Sequence, residues 1–243
     1  MNPQMPGDVS TDAMLEDLKT LVEIESPSRD LEALAVSANA VAGIIQKHLG
    51  GSAKLIESAA GPHVHWSGGG EPKVLILGHH DTVFPLGTLE RRPFLVQDGH
   101  ATGPGVFDML GGIVQAVHGI ATVQDWSSVE ILMSADEEVG SRSSRSLIEG
   151  RALACGAVLV LEGAADGGAI KIGRKGCGTF RIDIKGRASH AGLEPEAGIN
   201  ALIEASHQVI EITGLGRADI GTTVTPTVAT AGTTDNVVPA EAK

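Results

Sequence analysis

LILGHHDTV, residues 75–83, is an apolar run that passes one glycine and ends in two histidines and an aspartate. A strand that is buried on both faces has a nearly continuous apolar sequence of this kind. VEILMS (129–134) and AVLVL (157–161) have the same character and alternate with segments of helical periodicity. This alternation predicts an α/β fold, in which a mostly parallel sheet has helices on both faces.

Side chains that bind metal ions follow all three apolar runs. They are His79, His80 and Asp81 after the first run, Asp136, Glu137 and Glu138 after the second, and Glu162 after the third. Sites in such sheets collect at the carboxyl ends of the strands. The three strand ends therefore predict a metal site, although a strand end that simply meets water is the alternative for the first group taken alone.

The spacing within these groups indicates different roles. Side chains two residues apart in a strand share a face, so His79 and Asp81 point together and His80 points away. His79 is then the better ligand, and Asp81 is placed to accept a hydrogen bond from its other ring nitrogen. The adjacent glutamates of SADEEVGS (134–141) project differently, so one can bind a metal ion while the other acts as general base. A solvated acidic loop is the alternative for an isolated DEE.

Two loops contribute further candidates. ATGPGVFDMLGG (101–112) is a glycine-rich turn that would bring Asp108 to the centre, where its carboxylate can bridge two cations. A phosphate cradle is the alternative, but the stretch matches neither GK[ST] nor GxGxxG. RASHAG (187–192) contains His190, for which simple exposure is the alternative. The other histidines lack acidic neighbours at ligand spacing and are predicted to be structural or solvated: His48, His63, His65, His100, His118 and His207.

Periodicity predicts the remaining elements and a division into two domains. Helices are expected over 14–22, 31–49, 108–123 and 141–149, and further strands over 53–57 and 63–66. The alternation of GTFRIDIKG (178–186), a helix over 199–212 and a strand over 222–230 indicate a smaller α+β domain. We therefore place the domain boundary between residues 174 and 175.

Composition excludes several classes of protein. The net charge of -12 in 243 residues argues against a nucleic-acid or anionic-membrane surface. The first residues lack the basic start and apolar run of a signal peptide, and the longest apolar runs are of strand length. Cys155 and Cys177 form no CxxC pair, which suits a reducing cytoplasm.

The ordered motifs GHHDTV, GPGVFDMLGG, SADEEVGS, VLEGA, GRASHAG and NVVPAEA resemble a known family. They are similar to the dinuclear-zinc metallopeptidases that include glutamate carboxypeptidase, acetylornithine deacetylase and succinyl-diaminopimelate desuccinylase, and most similar to the glutamate carboxypeptidase branch. The resemblance implies a zinc-binding catalytic domain over 1–174 and a lid and dimerisation domain over 175–243. It also implies a homodimer and two Zn²⁺ ions, with Co²⁺ or Mn²⁺ as possible substitutes.

The resemblance assigns a role to each candidate residue. It makes His79 and Glu162 ligands of one zinc, Glu138 a ligand of the other, and Asp108 the bridge, with a cis peptide bond between Asp108 and Met109. Glu137 matches the general base, and Asp81 the partner that orients His79. His190 matches the histidine that stabilises the oxyanion in the partner's active site of dimeric relatives, and Asn236 a lid residue near the substrate.

Two departures from the family pattern qualify the resemblance. Leu110 stands where the family usually has Lys, which is not a ligand. The last zinc-ligand histidine and a GGxSD-type loop lie farther downstream in the family, so both domains are expected to be incomplete in this chain. The expected activity is zinc-dependent hydrolysis of an amide bond beside a free carboxylate in a small peptide or acyl-amino acid. The alternatives are a deacetylase or desuccinylase and a non-catalytic binding module.

Overall fold

The computed structural model of the chain describes residues 9–243. The chain divides into two compact units, of which the first ends at Ala169 and the second begins at Ile170. None of the helices in the described part of the chain combines the length and apolar character that crossing a membrane requires.

Two amphipathic helices begin the first unit at the predicted positions. Helix α1 spans Thr11–Val22, and the Ser10 hydroxyl accepts a hydrogen bond from the backbone N–H of Ala13 at 3.3 Å. Helix α2 spans Leu31–Leu49 and ends at Gly50, whose φ of 70° suits glycine. The apolar faces of both helices are buried, so their predicted periodicity is confirmed.

The first unit contains a mixed five-stranded sheet. In chain order the strands of this unit are β1 (Lys54–Ile56), β2 (His63–Ser67), β3 (Val74–His79), β4 (Leu95–Gln97), β5 (His100–Thr102), β6 (Val129–Ser134) and β7 (Ala157–Val160). The sheet has the order β1–β2–β6–β3–β7, whereas β4 and β5 form a separate hairpin. Strands β6, β3 and β7 pair in parallel, and β1 and β2 join antiparallel. The predicted α/β class is confirmed, with the parallel part limited to these three strands.

The core lies between the sheet and helices α1, α2 and α3, the last of which spans Gly111–Ala121. The predicted helix over 108–123 begins later than expected because Val106–Leu110 forms a tight turn with non-helical dihedral angles at Asp108 and Met109. Helix α4 spans Arg145–Ala154 instead of the predicted 141–149.

Two strand predictions need correction. Strand β7 was predicted to be buried, but Leu159 is 53% exposed and Val160 54% exposed, because β7 is the edge strand beside β3. An apolar run does not reveal how many neighbours a strand has. In the second unit, no continuous strand forms over the predicted 222–230: Thr222 bridges Arg217 and Thr230 exchanges two backbone hydrogen bonds with Lys243, but residues 223–229 pair with no other described segment.

The second unit is built around one helix and a short ladder. Strand β8 (Ile184–Lys185) pairs antiparallel with β9 (Glu241–Ala242), so the predicted strand over 178–186 forms only near its end. Helix α5 spans Ala201–Thr213, as predicted, and Asn200 caps its start by accepting from the N–H groups of Leu202 and Ile203.

Candidate metal centre

The parallel strands bring the predicted ligands to one edge of the sheet. His79 at the end of β3 is in register with Ser134 at the end of β6, and Leu77 of β3 pairs with Val160 of β7. The SADEEVGS loop and Glu162 leave the neighbouring strands at the same edge, as the strand-end pattern predicted.

His79 lies at the centre of this cluster with its side chain 1% exposed. Its Nε2 atom is 3.1 Å from Asp108 Oδ1 and 3.4 Å from Glu162 Oε1. Glu137 Oε2 is 3.9 Å from the same nitrogen. Three carboxylates from three separate loops therefore lie around the Nε2 atom of a buried imidazole.

Asp81 holds both the imidazole and the acidic loop in place. The Nδ1 atom of His79 is 2.9 Å from the Asp81 backbone carbonyl and 3.4 Å from its Oδ1. The Asp81 carboxylate also accepts hydrogen bonds from the Ser28 hydroxyl at 2.7 Å and from the backbone N–H groups of Glu137 and Glu138. The acceptor nearest to His79 Nδ1 is thus the Asp81 backbone carbonyl, whereas the sequence predicted the carboxylate. The carboxylate lies at ion-pair distance from the same nitrogen and also binds the segment that carries the adjacent glutamates.

The electrostatics of the pair are set by burial and by their mutual contact. Burial acts to lower the pKa of His79, but the Asp81 carboxylate and then Glu137 outweigh it and raise that pKa to about 9. Burial acts to raise the pKa of Asp81, whereas the hydrogen bonds from His79 and Ser28 lower it below its ordinary value. Without a metal ion the pair is therefore an imidazolium and a carboxylate, and a bound metal must displace the imidazolium proton.

The two adjacent glutamates carry excess negative charge. Burial and the carboxylates of Glu162, Asp81 and Asp108 raise the pKa of Glu137, against the opposing effect of His79. Burial and Asp108 likewise raise the pKa of Glu138. Within residues 9–243, no lysine or arginine forms an ion pair with the four carboxylates of Asp108, Glu137, Glu138 and Glu162. A cation at their centre would compensate this charge.

The turn at Asp108 is shaped by tight packing against β3. The peptide bond between Asp108 and Met109 is cis, which confirms the prediction. The Met109 side chain lies against Gly78, where an added Cβ would come within 2.5 Å of the methionine Cε atom. Leu110, at the position of the family's usual Lys, is 2% exposed and belongs to the apolar core.

Two sets of side chains have the donor atoms and spacing of metal sites. His79, Asp108 and Glu138 form one set, and His79, Glu137 and Glu162 form the other. Within each set, one ligand atom from each residue lies within 4.8 Å of the others. One imidazole and several carboxylates suit Zn²⁺ and other divalent ions of the first transition row. All five predicted residues that carry a ligand or base role in this unit are thus brought together.

Several supporting residues were not predicted. His80 points away from the cluster, as expected, but it is fully buried, and its ring nitrogens lie 3.1 Å from the Ser37 hydroxyl and 3.0 Å from the Pro62 carbonyl. Asp136 accepts hydrogen bonds from the backbone N–H and the hydroxyl of Ser143, which closes the loop before α4. This closure explains why the helix starts later than the sequence indicated.

The remaining predicted residues, His190 and Asn236, lie in the second unit. His190 forms an isolated bridge with Val237, and the Ala191 N–H donates to the Asn236 carbonyl at 2.9 Å. His190 Nδ1 accepts from the N–H groups of Gly192 and Leu193 at 3.1 Å, so Nε2 carries the proton in the neutral ring. The fold of this unit brings His190 and Asn236 into neighbouring segments.

Comparison with known proteins relates both units to one group of enzymes. Residues 172–243 match the M20 peptidase dimerisation domain. The chain is 33% identical over 241 residues to carboxypeptidase G2 of Pseudomonas sp. (strain RS-16), across 95% of this chain and 58% of that protein. It is 30% identical over 165 residues to succinyl-diaminopimelate desuccinylase of Rickettsia prowazekii (strain Madrid E), across 60% of this chain and 43% of that protein.

A solved structure supports the fold. An M20 family metallo-carboxypeptidase from Sulfolobus solfataricus superposes with a TM-score of 0.66 at 15% sequence identity, covering 96% of this chain and 70% of that one. The chain spans 58% of carboxypeptidase G2 and 43% of the desuccinylase, so these relatives are longer than the part that they share with it.

Proposed function

This chain belongs to the M20 peptidase family, and from that premise we propose that it is the metal-binding part of a hydrolase that cleaves an amide bond beside a free carboxylate. The observation that carries the proposal is the convergence of His79, Asp108, Glu137, Glu138 and Glu162 at one edge of the parallel strands.

The donor set fits two divalent metal ions. His79 and Glu162 would hold one ion, Glu138 the other, and Asp108 would bridge them. Metal ions held by these residues would supply Lewis acidity for a substrate carbonyl and for a water molecule. The carboxylates of Asp108, Glu137, Glu138 and Glu162 have no cationic side chain other than His79 within ion-pair distance among residues 9–243, which supports this assignment.

Glu137 is the proposed general base. Its carboxylate is 48% exposed and lies at the edge of the cluster, and its raised pKa suits a group that takes and returns a proton. Glu137 would take a proton from the attacking water and return it to the leaving amine. Asp81 contributes indirectly, because it fixes the ring of His79 and accepts from the backbone N–H of Glu137.

The proposed substrates are small peptides or acyl-amino acids with a terminal carboxylate, with release of C-terminal glutamate as the first choice. The similarity to carboxypeptidase G2 over 95% of this chain supports this choice. The similarity to succinyl-diaminopimelate desuccinylases favours N-acyl amino-acid deacylation as the second candidate. A non-catalytic metal-binding module is the alternative from a different class, and the cytoplasmic location predicted from the sequence stays a prediction.

The second unit is proposed to bind substrate and to form a homodimer. His190 and Asn236 would contact the substrate, with the protonated Nε2 of His190 as donor to the developing oxyanion. Two adjacent pairs of apolar residues recur seven residues apart on α5, and each side chain is more than 40% exposed: Leu202 with Ile203, and Val209 with Ile210. The match to a dimerisation domain supports this helix as part of the dimer contact.

The roles of the adjacent glutamates can be separated by two isosteric changes. Glu137→Gln removes the base but no proposed ligand, so we expect wild-type zinc content with a loss of turnover of at least about a hundredfold. Glu138→Gln should lower zinc content as well. We would measure zinc content by plasma emission spectroscopy. Turnover would be measured separately with N-acyl-glutamate and with N-succinyl-diaminopimelate. Wild-type turnover in Glu137→Gln would refute the base assignment, and turnover of the succinyl substrate alone would favour the deacylase.

A further inference from the structure

A second group of potential ligands lies between the helices of the first unit. Asp17 of α1, His48 of α2 and His118 of α3 approach one another although the first and last are 101 residues apart. His48 Nε2 lies 2.6 Å and His118 Nε2 2.8 Å from the same oxygen, Asp17 Oδ2. The two imidazole rings are 4.1 Å apart between centroids. Both ring nitrogens are thus directed at one carboxylate oxygen.

The donor chemistry of this group suits a transition-metal ion. The three ligand atoms lie within 4.8 Å of one another. A neutral imidazole presents either a proton or a lone pair at Nε2, so exchange of the proton for Zn²⁺ keeps both rings oriented toward the carboxylate. Two histidines and one carboxylate are a known set of three protein ligands for Zn²⁺, and a water molecule would supply the fourth ligand here. A small separation of the helices would bring all three atoms to bonding distance.

The group combines a mostly buried position with one carboxylate charge that Lys47 partly compensates. The side chains of Asp17 and His118 are 6% and 7% exposed, whereas that of His48 is 18% exposed. Burial opposes ionisation of Asp17, but hydrogen bonds from Lys47, His118 and His48 lower its pKa, so it is a carboxylate at neutral pH. Lys47 Nζ lies 2.9 Å from Asp17 Oδ1, whereas both imidazoles contact the other oxygen, Oδ2. The Lys47 ammonium group therefore repels a cation bound by the two imidazoles and Oδ2, but it does not occupy the position of that cation.

The group is separate from the cluster around His79. Helix α3 begins at Gly111, three residues after Asp108, and His118 lies seven residues farther along, which is about 10 Å of helix. Asp17 and His48 belong to helices that contribute no residue to the strand-end cluster.

We propose that Asp17, His48 and His118 form a second, independent site for Zn²⁺ or a similar borderline divalent ion, which clamps helices α1, α2 and α3 together. The site is structural: it lies among helices that pack the core and shares no ligand with the proposed catalytic centre.

Zinc stoichiometry tests the site without any measurement of catalysis. The proposed variant is His48→Gln, the most exposed of the three ligands, and the matched control is His207→Gln, a histidine on the exposed surface of α5. After equilibrium dialysis against zinc at neutral pH, we expect His48→Gln to hold one zinc ion fewer per chain than His207→Gln. Equal zinc content in the two folded variants, as judged by circular dichroism, would overturn the proposal.

A second variant covers the case in which His48→Gln does not fold. Lys47→Met removes the competing charge at a side chain that is 55% exposed. In a His79→Ala, Glu138→Gln background, which disables the strand-end cluster, this change should tighten zinc binding roughly tenfold. If Asp17, His48 and His118 form only an ion-pair cluster, the background variant should bind no zinc. Zinc binding that Lys47→Met leaves unchanged or weakens would also contradict the site.

Discussion

At the scale of single residues, Asp81 connects the ligand His79 with the segment that carries the proposed base. Asp81→Asn replaces a carboxylate that accepts three hydrogen bonds and lies at ion-pair distance from His79. The amide would place a donor opposite the N–H groups of Glu137 and Glu138. We expect zinc affinity to fall about 10- to 100-fold, because partners of metal-bound histidines have effects of this size.

Ser28→Ala is the matched control for this change, since it removes only the hydroxyl that donates to the Asp81 carboxylate at 2.7 Å. Its effect on zinc affinity, measured by calorimetric titration, should be smaller than that of Asp81→Asn. A larger loss in Ser28→Ala would mean that Asp81 does not orient His79.

His80 makes a prediction about the pH dependence of stability. Burial lowers the pKa of His80 to about 4, so the ring is neutral in the folded protein. The unfolded chain binds a proton at a higher pH than the folded chain does. The neutral ring of His80 therefore contributes to the free energy of unfolding fully above about pH 6.5. This contribution, roughly 3 kcal/mol in total, is lost as the pH falls toward 4.

Denaturant unfolding of the metal-free protein between pH 7 and pH 4.5 measures this contribution. His80→Gln cannot take up the proton, so its unfolding free energy should fall less steeply with decreasing pH than that of the wild type. Parallel curves for the two proteins would contradict the burial of a neutral imidazole at this position.

The sequence indicated the candidate ligand and base residues, but it did not indicate the residues that contact them and hold them in place. His79, Asp81, Asp108, Glu137, Glu138 and Glu162 follow strands or a glycine turn, so local patterns mark them. Ser28 contacts Asp81 across 53 residues, and His48 contacts Asp17 across 31, so no local spacing reveals either contact. Histidines without acidic neighbours in sequence were predicted to be structural or solvated, yet two of them meet a carboxylate through helix packing.

At the scale of elements, helix α3 must approach β7 closely for Glu162 to join the cluster. An added Cβ at Gly112 would come within 2.4 Å of the Leu161 carbonyl oxygen, next to Glu162, whereas one at Gly119 would meet nothing within 4 Å. Gly112→Ala should therefore lower the unfolding free energy by about 1–3 kcal/mol and reduce zinc affinity.

Gly119→Ala in the same helix is the control. It should be neutral or stabilise the protein by up to about 1 kcal/mol through helix propensity. Thermal unfolding and zinc titration of both variants test the contact. Equal stability and equal zinc affinity in the two variants would show that the approach of α3 to Leu161 does not position Glu162.

Helices and strands were predicted correctly where the local apolar pattern determines them. The predictions were wrong where the neighbouring segments in the sheet determine the structure. The apolar stripes of α1 and α2 and the runs of β3 and β6 predicted their elements. The edge position of β7 and the lack of strand pairing over 223–229 depend on which segments lie alongside, and periodicity does not contain that information.

At the scale of the whole molecule, the charge distribution links folding to metal binding. The chain has a net charge of -12, and four of its carboxylates meet around a single imidazole. Removal of metal by a chelator should leave these carboxylates to repel one another. Zinc at about 1,000 times its dissociation constant would restore roughly 4 kcal/mol of stability per site. A melting temperature that a chelator and added zinc leave unchanged would contradict this coupling.

Zinc binding by Asp108→Asn tests the central claim most directly. Asp108 is the proposed bridge between two ions, so its conversion to a weaker neutral ligand should affect both. The charge-matched control is Asp12→Asn, an exposed carboxylate in the first turn of α1. In calorimetric titration at neutral pH, we expect Asp108→Asn to bind less zinc than Asp12→Asn and to hold the remaining ions more weakly. Identical zinc stoichiometry and affinity in the two variants would contradict a metal centre at the ends of β3, β6 and β7.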